Sequence, residues 1–492
     1  MTAALASRRT QYSLDQVGHG GGPGVSGPAL AVIGERYFRA DLRGHDVRRR
    51  LRRLDRLLTE AYATGGSVCL VHGSSSGNHL LFLAHCRPGD RVIIPRNVHK
   101  SVLAAAILSG VRPVFLEPQV EPRLGLIFSP PLASFAAALE AAPAARAVVV
   151  TSPTYDGICA DIRPLADLAR RRGAPLLVDE AHGPHLHFHP DLPPDALAQG
   201  AGASVQSSHK VLAALGQTAA VHLARGSALG RAVEELRDWL TTPDVSPVLL
   251  LSLEAALRQM MRSGEELWSR ALGRAHRLRR AIRGIGGLAP WEDEVPWGQD
   301  QARWAVDPCK ITVRVDELGV SGAEAALYLD RVWRVSVELY GARSFLVMLS
   351  AANTDEHIDR LLRGLAALVR WSGRARRGCG TARPVPGPLP LPRLGPLQLT
   401  PREAFFAPKR LVPLRAAVGC LSGEIVAPYP PGIPILIPGG LVTAEAVAYI
   451  QESAPAPGEA LEALLVVDDA RVRDDARVPD DARVPLEGSA DA

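Results

Sequence analysis

The sequence predicts an α/β fold in which a mixed, mostly parallel sheet carries helices on both faces. Two observations lead there. Between residues 46 and 179, short continuous apolar runs alternate with segments of helical periodicity, and residues able to do chemistry follow directly after several of the runs. Strands that are apolar throughout are buried on both faces, the condition of a parallel sheet between helices. In such a sheet ligands collect beyond the carboxyl ends of the strands. At 492 residues the chain exceeds a single core, and two or three domains are expected.

In chain order, residues 1–45 are glycine-rich and poorly periodic, with HGGGPG at 19–24, and read as an N-terminal arm. A large domain is expected over 46–250. It opens with a helix from Asp46, in which leucines of VRRRLRRLDRLL recur at three- and four-residue intervals opposite arginines. An apolar strand at 67–72 leads to a loop, GSSSGN at 73–78, and then a helix at 79–86. Strands at 90–95, 111–116, 147–151 and one ending at Asp179 alternate with helices at 99–108, 132–141 and 163–172. A helical stretch reaches Leu240. A long helix at 254–285 then leads into a smaller α/β lobe over 251–375, with strands at 312–315 and 345–350 and a helix around 324–332. Residues 376–400 form a proline-rich linker of polyproline character. A C-terminal domain follows over 401–460. Residues 461–492, with DDARV beginning at Asp468, Asp474 and Asp480, have balanced charge and little to bury, and read as a disordered tail.

Composition narrows the function classes. The net charge of +5 raises nucleic acid as a partner, but the basic residues lie on amphipathic helices such as 47–58 and 274–283, and aromatic residues for a stacking platform are scarce. No nucleic-acid partner is expected. The six cysteines, Cys69, Cys86, Cys159, Cys309, Cys379 and Cys420, show no paired spacing and read as reduced thiols. The apolar runs fall short of a membrane span and residues 1–30 lack a signal-peptide hydrophobic block, so a cytoplasmic protein without a membrane partner is expected.

Four lysines stand among many arginines: Lys100, Lys210, Lys310 and Lys409. An amine can shed its proton where a guanidinium cannot. Lys210 follows Ser207, Ser208 and His209 and precedes an apolar stretch, so it sits on a turn between buried elements, where desolvation favours the neutral nucleophile. An arbitrary lysine is a surface residue; the context of Lys210 argues otherwise. About thirty residues before it, Asp179 closes an apolar strand. GSSSGN supplies hydroxyls and backbone N–H groups at a helix start, a setting for a phosphate. A phosphate loop, an acid at a strand end and a lysine beyond it are the three anchors of pyridoxal phosphate: lysine takes the aldehyde, and the carboxylate keeps the pyridine nitrogen protonated.

The sequence here resembles the Orn/Lys/Arg decarboxylases, fold-type-I pyridoxal-phosphate enzymes, in a short form without the N-terminal wing domain. The resemblance runs from about residue 19 to 450. It rests on GSSSGNH at Gly73, PRNVHKS at Pro95, TSPTYDG at Thr151, VDEAHG at Val178, QSSHKVL at Gln206, DPCKITV at Asp307, PREAFF at Pro401 and PYPPGIPILIPG at Pro428. It implies that Ser74, Ser75 and Ser76 hold the phosphate with Ser207 and His209. It implies further that His99 stacks on the ring, Asp179 pairs with the ring nitrogen, Lys210 forms the covalent link, and Thr154 and His182 lie near the ring hydroxyl. The implied activity is decarboxylation of arginine, lysine or ornithine to an amine by a homodimer or an assembly of dimers. The same pocket admits another reaction, aminotransferase-like or oxidative, on a different amino acid, or a protein that binds the cofactor without turnover.

Rival readings are set aside on their chemistry. DEAH at Asp179 matches a helicase box in letters, but no phosphate-binding lysine motif accompanies it. His185, His187 and His189 would share one face of a strand and could bind zinc, yet no carboxylate or cysteine completes the set, and no metal is expected. Where the family continues PYPPGIP with PGE, this chain has Pro438, Gly439 and Gly440, while Glu424 keeps an acid that the family keeps. Losing that carboxylate weakens the case for a cationic substrate.

Overall fold

The computed structural model describes residues 12–14, 44–242, 245–293, 305–379, 385–429, 432–453 and 461–468. The chain divides into two units, Met1–Leu391 with Pro428–Ile433, and Pro392–Ala427 with Pro434–Ala492. The N-terminal glycine run and the DDARV repeats from residue 469 onward lie outside the described residues.

The first unit is built on a seven-stranded sheet of β1 (Gly66–Leu70), β2 (Arg91–Pro95), β3 (Arg112–Leu116), β4 (Ala147–Thr151), β5 (Leu176–Asp179), β6 (Ala203–Gln206) and β7 (Ala219–Leu223). Their order is β1-β7-β6-β5-β4-β2-β3. Only β7 runs antiparallel to its neighbours, so the ends of β1, β2, β4, β5 and β6 point one way. Ala147, Val148, Val149 and Val150 of β4 are all buried, because both sheet faces are covered. On one face, Phe135 and Leu139 of α4 (Leu132–Ala141) and Leu165 and Ala169 of α5 (Ile162–Arg171) pack against Ile93, Val148, Val150 and Val178.

The other face carries α2 (Gly73–His85) and α3 (Lys100–Ser109), and the sequence reading needs correction here. GSSSGN is not a loop ahead of a helix; it is the opening turns of α2. Gly73 makes this possible, turning the chain at φ +74° just after β1, where a side chain would be strained. Gly77 sets the depth of the helix, since a Cβ there would lie 2.6 Å from Val205 Cγ1 of β6.

Helix α1 (Gly44–Ala61) is amphipathic as its spacing predicts, with Leu51, Leu54 and Leu58 buried and Arg48, Arg49, Arg52 and Arg53 exposed. Buried Asp55 of α1 accepts from Arg237 Nη1 at 2.8 Å and from the Cys69 backbone at 2.6 Å. One carboxylate thereby ties α1 to β1 and to the helix Gly230–Leu240.

The smaller α/β part of the same unit follows the helix Pro247–Arg283. It holds an antiparallel sheet in the order Ala289–Pro290, Lys310–Arg314, Ser344–Met348, Leu339–Tyr340. A capping box at Ser321 and Glu324 starts its helix Gly322–Tyr328, and Asp355–Cys379 closes it, running past the expected linker start at 376. Cys69, Cys86, Cys159, Cys309 and Cys420 are free thiols. Among the described residues no helix is long and apolar enough to cross a membrane.

In the second unit, residues 463–467, placed in the tail by their sequence position, instead form the strand Ala463–Val467, antiparallel to Lys409–Pro413. The run ALLVV has the apolar content a strand needs, which the charged repeats after it lack.

Replacing Asp55 with alanine leaves the Arg237 guanidinium buried without its carboxylate. We expect a loss of about 3–5 kcal/mol in urea unfolding, and a loss below about 1 kcal/mol would mean that the pair does not hold these elements together.

Candidate active site

The carboxyl ends of the parallel strands bring most of the expected residues into one place. Asp179 ends β5, in register with Thr151 of β4 and Val205 of β6, and is buried. Its Oδ1 accepts from the Ala181 backbone at 3.2 Å and its Oδ2 from Asn78 Nδ2 at 3.1 Å. Asn78 also donates to Ser101 Oγ at 3.0 Å. The Ser101 backbone N–H donates to His99 Nδ1 at 3.2 Å, which makes that nitrogen an acceptor, so the Ser101 hydroxyl 2.8 Å away gives its proton to it as well. The chain of donors runs outward from Asp179 and settles the imidazole with its proton on Nε2. His99 caps α3 and presents its ring toward solvent. The part of the ring shielded from water lowers its pKa, Asp179 opposes that shift, and the Lys210 charge adds to it.

At the start of α2 the backbone N–H groups of Ser74 and Ser75 lie in the first turn, without intrahelical acceptors. Ser207, following β6, donates to Ser74 Oγ at 2.7 Å, which joins the hydroxyls of both segments. Ser76 departs from expectation: its hydroxyl turns back to the Gly73 carbonyl at 2.8 Å. His209 holds the Thr218 carbonyl through Nδ1 at 2.9 Å, which leaves Nε2 an acceptor while the ring is neutral, and burial lowers its pKa. Contact with a phosphate through Nε2 therefore requires the imidazolium.

Lys210 lies in the helical turn Ser208–Val211 that follows β6. Burial pushes its pKa down, while Asp179 and Glu338 pull it up, so the amine shares an electrostatic environment with the β5 carboxylate. Its Nζ is 3.1 Å from His182 Nε2, and on the other side of the same ring Lys310 Nζ is 3.0 Å from Nδ1. Lys310, buried in the smaller sheet, also donates to the carbonyls of Thr154 at 3.3 Å and Tyr155 at 2.8 Å. Thr154 keeps its hydroxyl on the Ile158 N–H at 3.2 Å. Tyr155 packs on His182 with ring centroids 4.8 Å apart, and its hydroxyl bonds with Tyr429 and Glu338.

Sequence reasoning missed Asn78, Ser101, Tyr155, Lys310, Glu338 and Tyr429. One signal was available: Lys310 is one of only four lysines and opens a strand of apolar residues, the same ground on which Lys210 was singled out.

The three alternating histidines are not on a strand. Leu186–Phe188 is a 3₁₀ turn, and His185, His187 and His189 diverge to Asp307 at 3.0 Å, Asp195 at 2.7 Å and Ser269 at 2.9 Å. Glu180, the other acid of DEAH, is structural: it accepts from Ala196 N–H and Gln206, and burial raises its pKa to about 8. Gly440 and Glu424 belong to the second unit, where the Gly440 carbonyl accepts from Ser422 N–H at 2.9 Å and Glu424 accepts from Leu465 N–H at 2.7 Å.

Asn78→Leu keeps the volume and removes the donor to buried Asp179. Unfolding in urea should show a loss of about 1.5–3 kcal/mol, the range for a hydrogen bond to a charged group; an unchanged midpoint would show that Asp179 does not depend on this amide.

Known proteins agree with this architecture. The family described as Orn/Lys/Arg decarboxylase, major domain, matches residues 6–357. An arginine decarboxylase of Halalkalibacterium halodurans is 32% identical over 443 residues, covering 89% of each chain. An arginine decarboxylase of Bacillus subtilis is 32% identical over 440 residues, covering 88% of each. The solved structure of lysine decarboxylase A from Pseudomonas aeruginosa superimposes with a TM-score of 0.71 at 21% identity, over 85% of this chain and 71% of that one. That likeness shows the fold-type-I architecture, and the extent of the family match settles descent: the chain belongs to the Orn/Lys/Arg decarboxylase family.

Proposed function

We propose that this protein is a pyridoxal-phosphate-dependent decarboxylase that converts a basic L-amino acid of the arginine, lysine or ornithine type to its amine and carbon dioxide. The observation that carries the reading is the convergence on one site of an amine whose pKa burial lowers, a satisfied buried carboxylate and two hydroxyl-bearing segments. The donor set fits the cofactor. The N–H groups of Ser74 and Ser75 and the hydroxyls of Ser74 and Ser207 suit a phosphate. Asp179 can accept from a protonated ring nitrogen, His99 can stack on the ring, and Lys210 can take the aldehyde. Thr154, His182 and His209 complete the surroundings. Bound there, pyridoxal phosphate supplies an electron sink for the pair left at the α-carbon as carbon dioxide departs.

The chain's own groups do the rest. Asp179, kept in place by Asn78 and Ala181 N–H, stabilises positive charge on a ring nitrogen. Glu338 acts on Lys210, Lys310, Tyr155 and Tyr429, and is the carboxylate that a cationic substrate side chain would meet. The family resemblance supports a two-fold homodimer, or an assembly of dimers, working in the cytoplasm.

Incubating the purified protein with a panel of L-amino acids and identifying the amines by mass spectrometry tests reaction and substrate together. Arginine, lysine or ornithine should yield its amine, and Lys210→Ala should abolish turnover; products from other amino acids only would overturn the substrate class. Glu338→Gln should raise KM for the basic amino acid about tenfold or more, as expected for losing a charge-assisted partner, with a smaller effect on kcat. An unchanged KM would remove Glu338 from substrate recognition.

A further inference from the structure

His182 stands between two lysine amines, and counting hydrogens there leads to a conclusion about both. A neutral imidazole has one N–H and one lone pair, and an imidazolium has two N–H groups and no lone pair. An ammonium can only donate. With Lys210 Nζ at 3.1 Å from Nε2 and Lys310 Nζ at 3.0 Å from Nδ1, the ring cannot accept from two ammonium groups at once. At least one of the two amines is neutral.

With one ammonium in the site, two arrangements satisfy every group. In the first, Lys310 is the ammonium and places its three hydrogens on the Thr154 carbonyl, the Tyr155 carbonyl and His182 Nδ1. His182 then carries its proton on Nε2 and donates it to the lone pair of a neutral Lys210. In the second, Lys310 is the neutral amine, donates to the two carbonyls and accepts from Nδ1–H, while Nε2 accepts from a Lys210 ammonium. The two hold the same number of protons and differ by two concerted transfers that move one positive charge from Lys310 to Lys210. An Nζ–H bond of Lys310 breaks as Nδ1–H forms, and Nε2–H breaks as an N–H bond forms on Lys210; the imidazole ends neutral in its other tautomer.

We infer that Lys310 and Lys210 share one ammonium proton through His182, so that Lys310 keeps the Lys210 amine neutral and can return a proton to it. This rests on the reading of Lys210 as the cofactor-bearing amine. Carboxylates act on both amines: Asp307, Glu338 and Asp156 on Lys310, with Lys210 opposing, and Asp179 and Glu338 on Lys210. Burial nevertheless brings the Lys310 pKa down to about 8, which makes its proton available near neutrality. His182 is held neutral by burial and by both lysines. The site is built to this end, since Lys310 is fully buried, and Gly157, at φ +83°, lets the turn after Thr154 close over it: a Cβ there would lie 2.8 Å from Lys310 Cβ. Lys310 is a positioning and proton-supplying residue that acts on Lys210 through the ring.

The test uses the full-length holoenzyme and two readouts other than turnover: borohydride trapping of pyridoxal phosphate on the Lys210 peptide, and the pH midpoint of the visible absorbance of the linked cofactor. The sign follows from charge. Lys310 as a cation disfavours a proton on the Lys210 nitrogen, so Lys310→Met should raise the midpoint by about one pH unit or more, a tenfold change in the protonation equilibrium. Lys310→Arg restores a fixed cation and should hold the midpoint at or below its original value. Lys310→Gln, which keeps donors for the two carbonyls without charge, repeats the measurement if Lys310→Met does not fold, with the same upward shift. A midpoint unmoved in the uncharged variants, or raised equally by arginine, overturns the shared proton. Failure of the unaltered protein to trap the cofactor at Lys210 overturns the cofactor assignment itself, before any Lys310 variant is examined.

Discussion

A carboxylate buried at the end of a central strand has to be satisfied, and the site is arranged around that requirement at Asp179. A buried charge without hydrogen bonds costs several kcal/mol, and here the Asn78 amide and the Ala181 N–H meet part of the demand. Asn78 has a second hydrogen to place. Placing it on Ser101 ties that residue to the carboxylate, and the Ser101 backbone N–H, by donating to His99 Nδ1, fixes the tautomer of a ring on a different helix. The depth of α2 matters for this reason. Gly77 allows the helix to lie against Val205, and one turn's geometry then delivers Asn78 to β5 and the Ser74–Ser75 amides to the strand ends together.

A second network meets the first at Lys210. The smaller antiparallel sheet contributes Lys310, which reaches the large domain only because the turn Tyr155–Gly157 folds over it. Both networks obey the same accounting of donors and acceptors, yet they differ in kind. Around Asp179 each hydrogen has one place. Around His182 a single ammonium has two placements that leave no group unsatisfied, and a position where protons can shift in this way suits acid–base work.

Charges elsewhere in DEAH and its histidine run serve the fold. Glu180, His185, His187 and His189 each have partners that brace the chain between β5 and β6, and His185 with Asp307 links that segment to the approach of Lys310. A short stretch dense in titratable residues thus divides into one strand-end acid and one bridging ring that face the site, and a supporting remainder.

The order of strands and helices as far as Asp179 was legible from residue pattern, because continuous apolar runs and 3.6-residue spacing are local properties, whereas β6 and β7 were not read as strands. Also legible was the placement of Ser74, His99, Thr154, Asp179 and Lys210 after strand ends, since a parallel sheet collects those ends on one edge. The opening of α2 at Gly73 was hidden because serine and glycine favour loops in isolation, while packing of Gly77 on the sheet overrides that preference. The divergence of the three histidines was hidden because alternation has meaning only if the backbone is extended, and there it is a 3₁₀ turn. By itself the sequence determined the fold class and the family. Tertiary structure alone decided that Lys310 meets His182 across 128 residues of chain and that Asn78 supports Asp179 across 101, because hydrogen-bond partners are chosen by distance in space, which no periodicity along the chain encodes.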